Sequence, residues 1–377
     1  MCLLKKLLVG ICLLWTCTPF VQAQDSFVIN GQVTGVKDGV AIFLFREDGK
    51  VGVTIAKDTI RNGAFLLKGT VKDKTDKLTL LAYDPEFPMM GLAIYATPGA
   101  TIKVTGDDTY PMTWKVESDV PQQQLVNKFI LASRDLWIEY QKNTVQMMKV
   151  SSEERKVIKA KNDSISYAIH KNDIALLREM PYSDIWMDKF HQLCNVLTYD
   201  KGFPYKAELV NLYKGLSKEQ KQTDKGQEIK TFLFPPQTVQ IGDIAPDANF
   251  YDLQGETHHL SEFSGKYILL DFWSSGCGPC ILSIPEMTEV YSQYKDRIEI
   301  VSLSLDTKRR WTEASTKEHQ IIWSNWNELK GMSGLYAKYG IKGIPFYVLI
   351  SPQGKVLSMT MGYKKGMFKE WFSELFE

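Results

Sequence analysis

Ile268-Leu269-Leu270-Asp271-Phe272-Trp273-Ser274-Ser275-Gly276-Cys277-Gly278-Pro279-Cys280 joins two opposite signals over a few residues. Tyr267 to Trp273 is a near-continuous apolar run, the pattern of a strand buried on both faces, broken only by Asp271. After the Ser-Ser-Gly interruption the period changes. Ile284, Met287, Val290 and Tyr291 share one face of a helix expected over Ile281 to Tyr294. The two cysteines therefore stand where a strand ends and a helix begins. Cysteines three apart on a first helical turn can close a small disulfide, and Pro279 is tolerated there because the first amides have no intrahelical partner. Cys277, at the helix N-terminus, gains thiolate character from the partial positive charge of the free amides, while Cys280, one turn in, is expected to be more buried. That asymmetry makes Cys277 the attacking sulfur and Cys280 the resolving one. A zinc site needs two further ligands, and only His258, His259 and His319 lie nearby in sequence, without a second pair at suitable spacing. A purely structural bridge over so short a loop removes little chain entropy. Redox chemistry is the reading that remains.

Outward from this junction, Ile298 to Leu305 reads as a second buried strand, Arg310 to His319 as a helix and Phe346 to Ile350 as a strand. Ser351-Pro352-Gln353-Gly354 turns the chain into a strand over Lys355 to Met361. A last helix is expected from about Met367, with Phe368, Trp371, Phe372 and Leu375 on its inner face. Continuous strands alternating with helices predict an α/β unit over residues 235–377 whose sheet is covered on both sides. Phe234-Pro235-Pro236 is its linker, since neither proline can continue a helix. Residues 118–234 have helical periodicity and predict four or so helices. One carries Val126, Phe129, Ile130, Ser133 and Trp137; another carries Trp186, Phe190, Leu193, Cys194 and Leu197. Ser151 with Glu154 and Ser217 with Gln220 have capping-box spacing. Cys194 is expected in a core, and the run Lys156 to Lys161 on a solvated helix face. Residues 24–117 alternate with period two around Asp48-Gly49, Asn62-Gly63 and Pro98-Gly99, the pattern of a β-rich, sandwich-like domain.

The chain has 377 residues, 44% hydrophobic, with 45 Lys+Arg against 44 Asp+Glu and a formal charge of +1. This excludes general disorder and a polyanion-binding surface, so no nucleic-acid partner is expected. Lys5-Lys6, the apolar run Leu7 to Trp15 and Val21-Gln22-Ala23 read as a cleavable signal peptide over residues 1–23. The run is too short to span a bilayer. A lipoprotein reading at Cys17 would place bulky Trp15 and Thr16 where small residues are wanted. Loss of Lys5 and Lys6 takes the charge from +1 to −1, and of six cysteines Cys2, Cys12 and Cys17 leave with the signal. The mature chain is thus expected in the periplasm with Cys194, Cys277 and Cys280.

The strand ending Asp271-Phe272-Trp273 and the turn Cys277-Gly278-Pro279-Cys280 resemble the active site of thioredoxin. Tyr339-Gly340-Ile341-Lys342-Gly343-Ile344-Pro345 is similar to the segment that carries its cis-proline. Ile241-Gly242-Asp243-Ile244-Ala245-Pro246-Asp247 through Leu253-Gln254-Gly255 resembles the entry to the TlpA/ResA-type periplasmic branch, and the preceding domains resemble extensions common in such proteins from Bacteroidetes. The resemblance implies that Asp271 exchanges protons with Cys280, a task suited to an aspartate whose pKa burial raises. It implies substrate contact at Trp273, Gly276, Gly278, Pro279, Ile344 and Pro345, with no cofactor beyond the Cys277–Cys280 couple and no metal. The implied activity is disulfide reduction in exported proteins, with recharging by a membrane thiol-disulfide electron donor. The chain departs from the pattern twice. Gly276 stands where an aromatic often precedes the first cysteine, and Ser283 where the branch commonly has a glutamate, which leaves proton management to Asp271. The alternatives are a non-catalytic binding protein using the N-terminal domains and a thiol peroxidase, for which Ser274 lies at the right distance before Cys277.

Overall fold

Alternation of apolar and polar residues becomes eight strands in the computed structural model, which describes residues 25–48 and 51–376. They are β1 (Ser26–Val33), β2 (Ala41–Asp48), β3 (Val51–Thr59), β4 (Ala64–Thr70), β5 (Asp76–Tyr83), β6 (Leu92–Ala96), β7 (Thr101–Gly106) and β8 (Lys115–Glu117). The expected signal segment and Gly49 of the Asp48-Gly49 turn lie outside the described residues. Two four-stranded sheets result, ordered β4-β1-β7-β8 and β3-β2-β5-β6. Their apolar faces meet in one core, where Phe27 and Ile29 of β1 join Ile42, Leu44, Leu78 and Leu80. Two cross-strand pairs need glycine: Phe27 covers Gly69 and Phe65 covers Gly31, each ring lying where a Cβ would go.

Seven helices follow, where the periodicity predicted about four: α1 (Pro121–Ala132), α2 (Arg134–Met147), α3 (Ser152–Glu179), α4 (Asp184–Tyr199), α5 (Lys206–Gly215), α6 (Lys218–Gln222) and α7 (Asp224–Leu233). The stripe from Val126 to Trp137 is cut at Ser133, whose φ of −136° lies outside the helical range. Toward the end of the segment, Ser183, Ser217 and Thr223 each accept an amide three residues on, and such local bonds start new helices. The box of Ser151 with Glu154 opens α3 in the same way. Trp186, Phe190, Leu193, Cys194 and Leu197 of α4 are all buried, and burial pushes the Cys194 thiol well above its ordinary range. The Lys156 to Lys161 face is largely exposed. Gln123 of α1, 1% exposed, accepts from Tyr95 N at 2.8 Å and donates to Ala93 O at 3.2 Å. It thereby closes the free edge of β6, which would otherwise leave buried amides unpaired.

The last unit contains β9 (Phe250–Tyr251), β10 (Thr257–His258), β11 (Tyr267–Trp273), α8 (Gly278–Tyr294), β12 (Ile298–Ser304), α9 (Lys308–Lys317), β13 (Ser324–Trp326), α10 (Leu335–Lys338), β14 (Phe346–Ile350), β15 (Val356–Met361) and α11 (Met367–Phe376). Its five-stranded sheet has the order β13-β12-β11-β14-β15. β11, β12 and β13 run parallel, and β14 and β15 are antiparallel to their neighbours. Both faces are covered. Ile268, Leu270 and Phe272 of β11 pack into one cluster, whereas Leu269 packs with Met287 and Val290 of α8 and Phe368 and Phe372 of α11. By strand alternation Asp271 and Trp273 project to the α8 face. The helical segment meets this unit through Glu228 of α7, which accepts from Met332 N at 2.9 Å. None of the helices among the described residues is long and apolar enough to cross a membrane.

Candidate active site

Cys277 is the N-cap of α8, and its sulfur accepts from the Cys280 amide at 3.2 Å. The two sulfurs are joined in a disulfide, with Cα atoms 5.2 Å apart. Pro279 lies within the first two helical positions, where its missing N–H leaves no bond unmade. Cys277 is half-buried and Cys280 is 2% exposed, so one sulfur is reachable and the other is not. Gly276, Gly278 and Pro279 form the exposed rim. Ile344 is half-buried and packs toward Trp273, Cys280 and Trp311. The Ile344–Pro345 peptide is cis and Pro345 is buried. Trp273, at 1% exposure, offers no surface to a partner, which corrects the expectation of direct contact there; it packs beneath the pair.

Asp271 is 3% exposed and burial pushes its carboxyl up to about 7, against the lowering effect of one hydrogen bond. That bond comes from Ser302 Oγ, which donates to Oδ2 at 2.7 Å. Oδ1 has no hydrogen-bond partner among the described residues. Tyr347 sits opposite Asp271 in the β11–β14 ladder, and burial followed by the Asp271 charge pushes its hydroxyl well above the ordinary range. Ser283, standing where a glutamate was expected, is fully buried and donates to Cys280 O at 2.7 Å. It steadies the helix without offering a carboxylate.

Sequence reasoning missed the residues that hold the loop before Cys277. Asp306, just beyond β12, accepts from the Ser275 amide at 2.7 Å, and buried Arg310 of α9 donates from Nε to Ser275 Oγ at 2.9 Å. Arg310 is itself held by both carboxylate oxygens of Glu318. Ser302 was also missed, although a serine interrupting the apolar run Ile298 to Leu305 was a visible signal. Glu286 is a third. Its carboxylate accepts from Gly366 N at 2.7 Å and Phe368 N at 2.9 Å, fixing α8 to the start of α11. Four hydrogen bonds outweigh its burial and lower its pKa.

Asp252, Glu256 and His258 bring ligand-type atoms within 4.8 Å of one another. The His258 ring nitrogens already lie 3.3 Å from Asp252 Oδ2 and 3.1 Å from Glu262 Oε2, and the ring stacks on Trp326. Against the lowering effect of burial, the hydrogen bonds of His258 to Glu262 and Asp252 raise its pKa, which favours a ring engaged by carboxylates on both nitrogens.

A thioredoxin-like family profile matches residues 265–356. Thiol-disulfide oxidoreductase ResA of Bacillus anthracis is 30% identical over 132 residues, 35% of this chain and 75% of that protein. ResA of Geobacillus kaustophilus is 29% identical over 139 residues, 36% of this chain and 79% of that one. A solved thioredoxin domain of a thiol-disulfide oxidoreductase from Bacteroides vulgatus is 27% identical, with a TM-score of 0.34. It spans 36% of this chain and 99% of its own.

Proposed function

The chain belongs to the thioredoxin-like thiol-disulfide oxidoreductases, and from that premise we propose that it reduces disulfides of exported proteins through Cys277 and Cys280. The observation that carries this reading is the asymmetric sulfur pair at the start of α8, one reachable and one buried, joined to each other. In the reduced protein, the Cys280 amide and the free end of α8 favour the Cys277 thiolate. The thiolate attacks one sulfur of a partner disulfide; a bond to Cys277 forms and the other partner sulfur leaves as thiolate. Cys280 then gives its proton to Asp271 and attacks Cys277 Sγ. The Cys277–Cys280 bond closes, and the second partner sulfur leaves and is protonated in turn. Two electrons pass to the partner, and the dithiol becomes the disulfide. Gly276, Gly278, Pro279 and Ile344 are proposed to frame the partner chain, with Pro345, buried like Trp273, supporting the backbone at Ile344 rather than presenting a surface of its own. Renewal of the dithiol is assigned to a membrane thiol-disulfide electron donor, and the location to the periplasm on the strength of the segment before Asp25.

Insulin reduction with dithiothreitol as donor tests the reading. Wild type is expected to accelerate turbidity and Cys277→Ser to fall to the uncatalysed rate; equal rates would overturn it. Cys280→Ser is expected to retain partner proteins on Cys277 in non-reducing gels of periplasmic extracts. Retention of no exported protein would remove that substrate class.

A further inference from the structure

Asp271 is not the only buried polar group on its face of the sheet. Asp271 and Ser302 are register neighbours on the parallel strands β11 and β12, so their side chains share the α8 face of the sheet. Ser302 is fully buried, and its Oγ stands between two partners: Asp271 Oδ2 at 2.7 Å and Trp323 Nε1 at 2.9 Å. The indole is packed edge-on against Tyr291 of α8, with ring centroids 5.8 Å apart. An indole N–H can only donate, and a serine hydroxyl has a single proton. The Ser302 oxygen must therefore accept from Trp323 and turn its proton to Asp271. A proton on Oδ2 would then face another proton.

We infer that the Trp323–Ser302 chain is a one-way hydrogen-bond lock that makes Oδ1 the oxygen of Asp271 which takes up and releases the working proton. This rests on the proposed exchange between Asp271 and Cys280, and it agrees with Oδ1 being buried without a hydrogen-bond partner among the described residues. Burial disfavours the ionised carboxylate, and a proton on the bare oxygen removes that charge without breaking the bond from Ser302. Ser302 and Trp323 are thus positioning residues for the proton step. The titratable groups on the neighbouring strand β14 and on α8 do not supply a competing lock. Tyr347 on β14 holds its proton through burial, and on α8 Cys280 is tied in the disulfide while Glu286 is engaged by the first turn of α11. None of these is a cation.

The test separates the lock from the chemistry. The full chain is kept oxidised so that neither active-site thiol titrates, and the ¹³Cγ resonance of Asp271 is followed against pH in wild type, Ser302→Ala, Ser302→Thr and Trp323→Phe. Ser302→Ala is expected to raise the midpoint by about one pH unit, the loss of a hydrogen bond to a charged acceptor. Ser302→Thr, which keeps the hydroxyl, is expected to stay near wild type. Trp323→Phe frees the hydroxyl to rotate and is expected to give a smaller upward shift. In the reduced protein, the limb of the pH–rate profile assigned to Asp271 should move with the titration. A Ser302→Ala midpoint equal to wild type would overturn the lock, as would a Thr variant shifted as far as the Ala variant. Shifted midpoints with an unmoved rate profile would support the lock and sink Asp271 as the proton acceptor.

Discussion

The two β cores of this chain are built on opposite principles. Between the sheets of residues 26–117 lies a cluster of apolar side chains, and the buried carboxylate of the same domain, Asp76, accepts from Arg46 Nε and Lys72 N, both at 2.8 Å. Under the sheet of β11 and β12 lie Asp271, Ser302 and Ser304, with one carboxylate oxygen unpaired among the described residues. Burying a polar atom without a partner opposes folding, so the second core gives up stability that the first keeps, a cost consistent with the proton exchange proposed for Asp271.

The largest effect expected is on the apolar side. Phe27→Ala removes a ring that is 1% exposed and fills the space over Gly69, at a cost of about 3–5 kcal/mol by chemical denaturation. Insulin reduction per folded molecule should be unchanged; a parallel loss of rate would mean that the two cores are coupled. Asp271→Asn should act with the opposite sign. The folded state holds this proton to about pH 7, and the unfolded chain releases it near 3.8, so the native state binds more protons through that window and stability falls as pH rises across it. The variant is expected to be more stable than wild type at pH 8 by roughly 2–4 kcal/mol, with no gain at pH 3. Its disulfide reduction should slow by about a hundredfold. Identical denaturation midpoints at pH 8 would remove the contrast between the cores. The smallest effect is on the exposed face of α3, where Lys156 pairs with Glu153 at 3.0 Å. Lys156→Ala should change stability by less than about 0.5 kcal/mol and leave activity intact; a larger loss would show that this face is covered.

Legibility followed the range of the interactions. The strand Phe346–Ile350, the start of the last helix at Met367 and the burial of the α4 stripe were readable because periodicity reports which face is dry. The division at Ser133 was not, because nothing in the apolar spacing from Val126 to Trp137 marks a break in backbone direction. β9, β10, β13 and α10 span two to four residues each and lie below the length at which a period can be recognised.

The sequence by itself determined the paired sulfurs and their order, since the spacing of Cys277 and Cys280 across a strand-to-helix junction is local chemistry. It also determined that Asp271 stands in an apolar strand. Only the tertiary structure decided what surrounds that carboxylate. Ser302 reaches it across the parallel β11–β12 pair and Trp323 reaches Ser302 in turn, while Asp306 and Arg310 reach Ser275 from a different strand-to-helix connection. Hydrogen-bond direction is set by donors distant in sequence, and those become neighbours only when the sheet has formed.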